Sequence, residues 1–108
     1  MDKESRENRF WNNYLAVLIE RQIKSSLYTW YVRHCEAFIG VNREIRLKQH
    51  TKITVSAYLE VLINSEKQEG WQKKQAIDAL SLLFKSIHAP LYRDIDWDYW
   101  KLSCRELG

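Results

Sequence analysis

The chain has 108 residues, enough for one hydrophobic core and too few for a second folded unit. Apolar residues make up 45% and aromatics 13%, with three glycines and one proline, a composition that excludes turn-punctuated all-β folds and favours long helices. The formal charge of +3 is too small to name a partner, and no apolar run is long enough for a membrane span or a signal peptide, so a cytoplasmic protein is expected.

The first helix is predicted from about Asn8 to Ile23, because Trp11, Tyr14, Leu15, Leu18 and Gln22 share one stripe at spacings of three and four. "KSS" breaks that pattern, and Ser25 or Ser26 is placed to cap the next helix. The second helix, about Leu27 to Ile39, turns Leu27, Tyr31, Cys35 and Phe38 inward and leaves Thr29, Arg33 and Glu36 facing away. Gly40 is expected to stop it. "VNREIRLKQH" then reads as a basic connector, with Ile45 and Leu47 pinned to the core. Arg21, Lys24, Arg33, Arg43, Arg46, Lys48 and Lys52 face only Glu36 and Glu44 in this part of the chain, a candidate footprint for a polyanion.

Thr51 is the expected cap of a third helix, in which Val55, Tyr58, Leu59 and Leu62 repeat up to about Glu66, with Gly70 as its end. The fourth helix, "WQKKQAIDALSLLFKSI", has a core face of Ile77, Leu80, Phe84 and Ile87, widened by Ala76 and Leu83. Lys74, Asp78, Ser81 and Lys85 fall on the opposite side, and Pro90 marks the end. Asp96 is placed to cap a short fifth helix with Trp97, Trp100, Cys104 and Leu107 as its stripe. The fold class is therefore all-α, a bundle of four to five helices in a single domain over residues 1–108.

Catalytic chemistry is poorly supplied. His34, His50 and His88 are scattered, and none has a second His or Cys at helical metal-site spacing. Three glycines provide no phosphate-cradling loop. Asp94, Asp96 and Asp98 lack the glycine and terminal glutamate of a calcium loop, so helix capping explains them better. Cys35 and Cys104 read as buried small apolar residues. No cofactor or metal is expected, and no enzyme activity. Of the five tryptophans, Trp11, Trp97 and Trp100 lie on apolar stripes, whereas Trp30 and Trp71 are the ones expected to be partly exposed. Lys73 and Lys74 sit in a first helical turn, where the dipole disfavours cations, so local stability does not explain them; a nearby anion would, although first-turn lysines are also common on solvated helices.

In order, "SSLYTWYVRHCEAFIG", "HTKITVSAYLEVL" and "WQKKQAIDALSLLFKSI" resemble the N-terminal core-binding, SAM-like domain of tyrosine recombinases, nearest to the integron integrases. The resemblance covers roughly residues 10 to 107. It is carried by Tyr31 and Phe38 in the second helix, by Thr51, Val55, Tyr58, Leu59 and Leu62 in the third, and by "QAIDALSLLF" in the fourth. Thr54 stands where the family has an acid, Leu27 where it usually has threonine, and Gln72 where it has serine or threonine.

The resemblance implies half of a clamp around double-stranded DNA, with the second and fourth helices approaching the major groove. Strand exchange would belong to a catalytic domain outside this chain, in a longer recombinase that is tetrameric on DNA, while the isolated domain would be monomeric and inert. The DNA-binding residues it selects are Thr29, Trp30 and Arg33 on the second helix, and Lys73, Lys74 and Lys85 on the fourth. Arg43, Arg46 and Lys48 of the connector are further phosphate contacts. Asp78 is spaced to pair with Lys74. The alternative is a protein-interaction bundle anchored by Trp30 and Trp71.

Overall fold

The computed structural model describes residues 3–104, and these form an all-helical bundle with no strand among them. Its helices are α1 (Lys3–Glu20), α2 (Tyr28–Val41), α3 (Lys52–Ile63), α4 (Gly70–Ser86), α5 (Leu91–Asp94) and α6 (Trp97–Leu102). Helical 3-10 turns at Ser25–Leu27 and Leu47–Gln49 precede α2 and α3. The small all-α bundle is as the periodicity requires, with one element more, since the link after Pro90 closes a single turn as α5. Leu107, assigned to the last helical stripe, lies outside the described residues.

α4 is the axis of the molecule. It packs against α1, α2, α3, α5 and α6, and eleven of its seventeen residues are buried, so it is not the half-solvated amphipathic helix that its lysines imply. Phe84, Leu80, Ile77 and Leu83 are fully buried, each worth roughly 1.5–3 kcal/mol of apolar transfer. Tyr14 of α1 and Cys35 of α2 are also fully buried, and both reach one α4 carbonyl. The Tyr14 hydroxyl donates to the Ala79 oxygen at 2.9 Å, and the Cys35 thiol lies 3.6 Å from the same atom. Burial pushes the Cys35 thiol up to about 12, which leaves it unreactive.

Helix ends depart from the glycine rule. Gln22, expected on the first core stripe, is exposed with φ 60, and closes α1 through Ile23 N–H to Leu18 O at 3.0 Å and Gln22 N–H to Ile19 O at 2.9 Å. His88, φ 57, closes α4 through the same pair of bonds, Ala89 to Phe84 and His88 to Lys85, both at 3.0 Å. Gly40 does not stop α2, which continues through it to Val41. Gly70 opens α4 rather than ending α3; that end is made by Asn64, whose side-chain amide donates to Glu60 O at 2.9 Å.

Of the caps, Thr51 and Asp96 act as expected, accepting from Thr54 N–H at 3.3 Å and Tyr99 N–H at 3.0 Å. No serine caps α2; Ser25 and Ser26 are spent in the 3-10 turn before it. Thr54 completes the α3 box by accepting from Thr51 N–H at 2.9 Å, which accounts for threonine at that position.

Beside this box His50 is buried against Phe38 and Phe84, with ring centroids 4.7 and 6.1 Å away. The Thr54 hydroxyl donates to Thr51 O at 3.0 Å, so His50 Nδ1, 2.9 Å from that hydroxyl, is the donor, and Nε2 is left buried without a partner. Burial lowers the pKa of His50, and burial likewise lowers that of His34 against a small opposing effect of its Gln75 bond.

Both imidazoles are thus neutral in the fold and bind protons more readily once unfolded. The stability they allow is present above about pH 6.5 and is lost as pH falls through the lower folded values. Thermal unfolding followed by circular dichroism should show a falling midpoint below about pH 6.5, flattened in part by His50→Gln. A Cβ at Gly40 meets nothing within 4 Å and φ there is not positive, so Gly40→Ala should raise stability by about 0.5–1 kcal/mol in urea melts.

Candidate nucleic-acid interface

The expected contact residues divide into three places. On α2, Tyr31, Cys35 and Phe38 turn into the core, which forces Thr29, Trp30 and Arg33 outward, and all three are exposed. The Arg33 guanidinium carbon lies 5.0 Å from the Trp30 ring centroid, a cation–π contact one helical turn long. Trp30 keeps 50% of its surface exposed and Trp71, at the start of α4, 56%. His34 Nε2 and Gln75 Oε1 meet at 2.9 Å between these helices, and each indole lies one turn before a member of that bond. The two aromatics thus flank one seam of the surface.

Residues of the connector and the far end of α4 form a second place. Arg43, Arg46 and Lys48 are exposed, and Leu47 is packed against the core as expected. Lys85, half-buried, lines a surface groove with Lys48, and Lys48 lines an adjoining hollow with Arg46. Lys74 and Lys85 are eleven positions apart on α4, about 16 Å along its axis, so the two ends of that helix do not make one patch.

Lys73 is the third place, and it requires correction. Expected to face a polyanion, it is 5% exposed, and its ammonium donates to the Ile63 carbonyl at 3.0 Å. Ile63 is the last residue of α3, where the dipole is negative and carbonyls lack helical partners. The lysine is unfavourable for its own helix start and favourable for its neighbour's end. Only Lys74 of the pair is exposed.

Asp78 is likewise turned inward rather than paired with Lys74. It accepts from the Tyr31 hydroxyl at 2.7 Å and pairs with Lys101 of α6 at 2.9 Å, the only ion pair among the described residues. Burial, and then the Asp78 carboxylate, raise the pKa of Tyr31 and keep it a donor. Ser81, placed on the outward side by periodicity, is buried and donates to Asp78 O at 2.7 Å. Sequence spacing does not reveal Lys101, because its partner sits 23 positions away, a separation no local pattern reports.

Among the described residues no three His, Cys, Asp or Glu side chains converge to hold a metal ion, and no helix is long and apolar enough to cross a membrane. Burial pushes the Cys104 thiol up, against the opposing charge of Lys73 and Lys74.

Replacing Lys73 and Lys74 separately tells structure from surface. Lys73→Ala should lower unfolding stability by about 1–3 kcal/mol, because a charged donor and a helix-end partner are lost together. Lys74→Ala should change it by less than about 0.5 kcal/mol in the same urea melts.

Set against known proteins, the chain matches no family model, no curated protein and no solved structure.

Proposed function

We propose that this chain is the duplex-DNA-binding part of a tyrosine-recombinase-like protein, and that it reads DNA with the exposed face of α2. The observation that carries this is Arg33 stacked on Trp30 on an exposed helix face, with no acid paired to it among the described residues. An arginine held over an indole has its planar fork pre-oriented, so less rotamer freedom is lost when it bonds bidentately to guanine O6 and N7 or to a phosphate. The start of α2 adds to this. The 3-10 turn before it already takes the Tyr28 N–H, which donates to Ser25 O, but the first turn of α2 holds no acidic residue, so its dipole favours a phosphate near Thr29.

Lys74 and Arg43 are outlying phosphate contacts in this reading, and Lys73 has no part in it. The order of motifs shared with core-binding domains supports the same assignment. Strand exchange then belongs to a separate domain of a longer cytoplasmic protein, which assembles on paired DNA sites, and this chain contributes affinity without chemistry.

Anisotropy titration of a short labelled duplex across a salt series tests the proposal. Binding should weaken linearly in log salt as counterions are released. Arg33→Ala should cost about 1–3 kcal/mol of affinity if it meets a base, or reduce the salt slope by about one if it meets a phosphate. Trp30→Ala should weaken binding less, by freeing the guanidinium. Duplex affinity unchanged in both variants would overturn the assignment. Exposed Trp30 and Trp71 favour one rival, a protein-binding surface, and a partner held there would persist as salt rises.

A further inference from the structure

Away from the α2 face, the outer side of α1 carries a groove. Phe10, Asn13, Val17 and Glu20 recur at three or four positions, forming one stripe about 15 Å long. Against this stripe lie the end of α4, from Lys85 to His88, and Lys48 of the connector, and together they bound a hollow of about 470 Å³. A second hollow of about 540 Å³ adjoins it at Phe10, Lys48 and Ile87, which line both, and is walled by Arg46 and Leu47.

Floor and rim differ in chemistry. Phe10, Val17, Leu47 and Ile87 are half-buried against the core and present apolar surface. Arg46, Lys48 and Lys85 stand around them, and none is in an ion pair among the described residues. Glu20, at the opposite end of the stripe from Phe10, is the one acid lining either hollow. A DNA backbone is anionic but has nothing to cover an apolar floor, so phosphate attraction explains the rim and not the base.

We infer that this groove docks an acidic, amphipathic peptide segment of a protein partner, its apolar side on Phe10, Val17 and Ile87 and its carboxylates on Arg46, Lys48 and Lys85. A segment of about ten helical residues matches the length of the stripe. The rim charges select acidic sequences and speed encounter, while the floor supplies most of the holding energy. No residue of α2 lines either hollow, so the groove shares neither Trp30 nor Arg33 with the proposed DNA face.

Anisotropy with a labelled synthetic helix, leucines at i, i+3 and i+7 flanked by glutamates, tests this on the whole chain. Two control helices carry alanine for leucine or lysine for glutamate. The first helix should bind, and each control should bind at least about tenfold more weakly. Lys48→Glu with Lys85→Glu should weaken the first helix by about tenfold or more, as should Phe10→Ala in a protein whose helicity is unchanged. Arg33→Ala should leave peptide affinity as it was, which separates this groove from the DNA face whether or not duplex binds. No binding, or equal binding of the alanine control, would overturn the inference. So would duplex DNA displacing the peptide competitively, which makes the rim a phosphate contact, or self-association that excludes the peptide, which puts a second copy in the groove.

Discussion

A helix surrounded by other helices has to find a partner inside the protein for every polar group it carries, because an unpaired one is costly to bury. α4 is such a helix, and the rest of the bundle is arranged around meeting that demand. Its buried hydroxyls turn back on their own helix: Ser81 bonds Asp78 O and Ser86 bonds Leu83 O, both at 2.7 Å. Its longer polar side chains reach sideways instead. Lys73 ends α3, Gln75 meets His34 of α2, and Asp78 joins Tyr31 of α2 to Lys101 of α6. Each of these sideways bonds also fixes a neighbour, so the longer polar residues specify which helix sits where while the leucines and phenylalanines supply the gross stabilisation.

That arrangement moves the centre of the candidate DNA surface from α4 to α2. A residue already bonded to its own protein cannot offer the same donor to a ligand without breaking a bond, and this removes Lys73 and Asp78 from any interface. α2 is in the opposite situation. Its inward face is held by Tyr31, His34, Cys35 and Phe38, and nothing within the described protein occupies the donors of Arg33 on its outward face. The ring of Trp30 orders that guanidinium without neutralising it. A cation held in place and left charged is what recognition of an anion requires.

Periodicity makes most of the architecture legible. The inward stripes of α2 and α3, the caps at Thr51 and Asp96, and the exposure of Trp30 and Trp71 all derive from spacing, since a helix repeats every 3.6 residues whatever surrounds it. Burial around α4 is less legible. Lys73, Asp78 and Ser81 are polar residues at positions that a two-sided helix would show to water, and polarity is a guide to exposure only until several neighbours supply partners. The ends of α1 and α4 escape a sequence reading for a related reason. Gln22 and His88 adopt the left-handed conformation that glycine adopts most readily, while Gly40 and Gly70 sit in ordinary helix. At such ends tertiary packing outweighs intrinsic preference, and a propensity argument looks for its stop signal in the wrong place.

The connector is where the local bonds and the candidate surfaces meet. Its basic residues resemble a solvated loop in composition, yet its course is pinned at two points: Leu47 packs on the core, and His50 packs against Phe38 and Phe84 while tied to Thr54 in the α3 cap. Lys48 lies in the short 3-10 turn Leu47–Gln49, and Arg46 immediately precedes that turn. A flexible loop would lose backbone freedom on binding; this one has already lost it in folding, so less is lost when Arg46 and Lys48 beside Phe10 and Ile87 meet a ligand. Burial that lowers the pKa of His50 also makes the connector one of the places where acid opposes the packing, as it does at His34 between α2 and α4. The course of the connector and part of the fold's pH dependence thus follow from one placement, an imidazole at the junction of connector and helix.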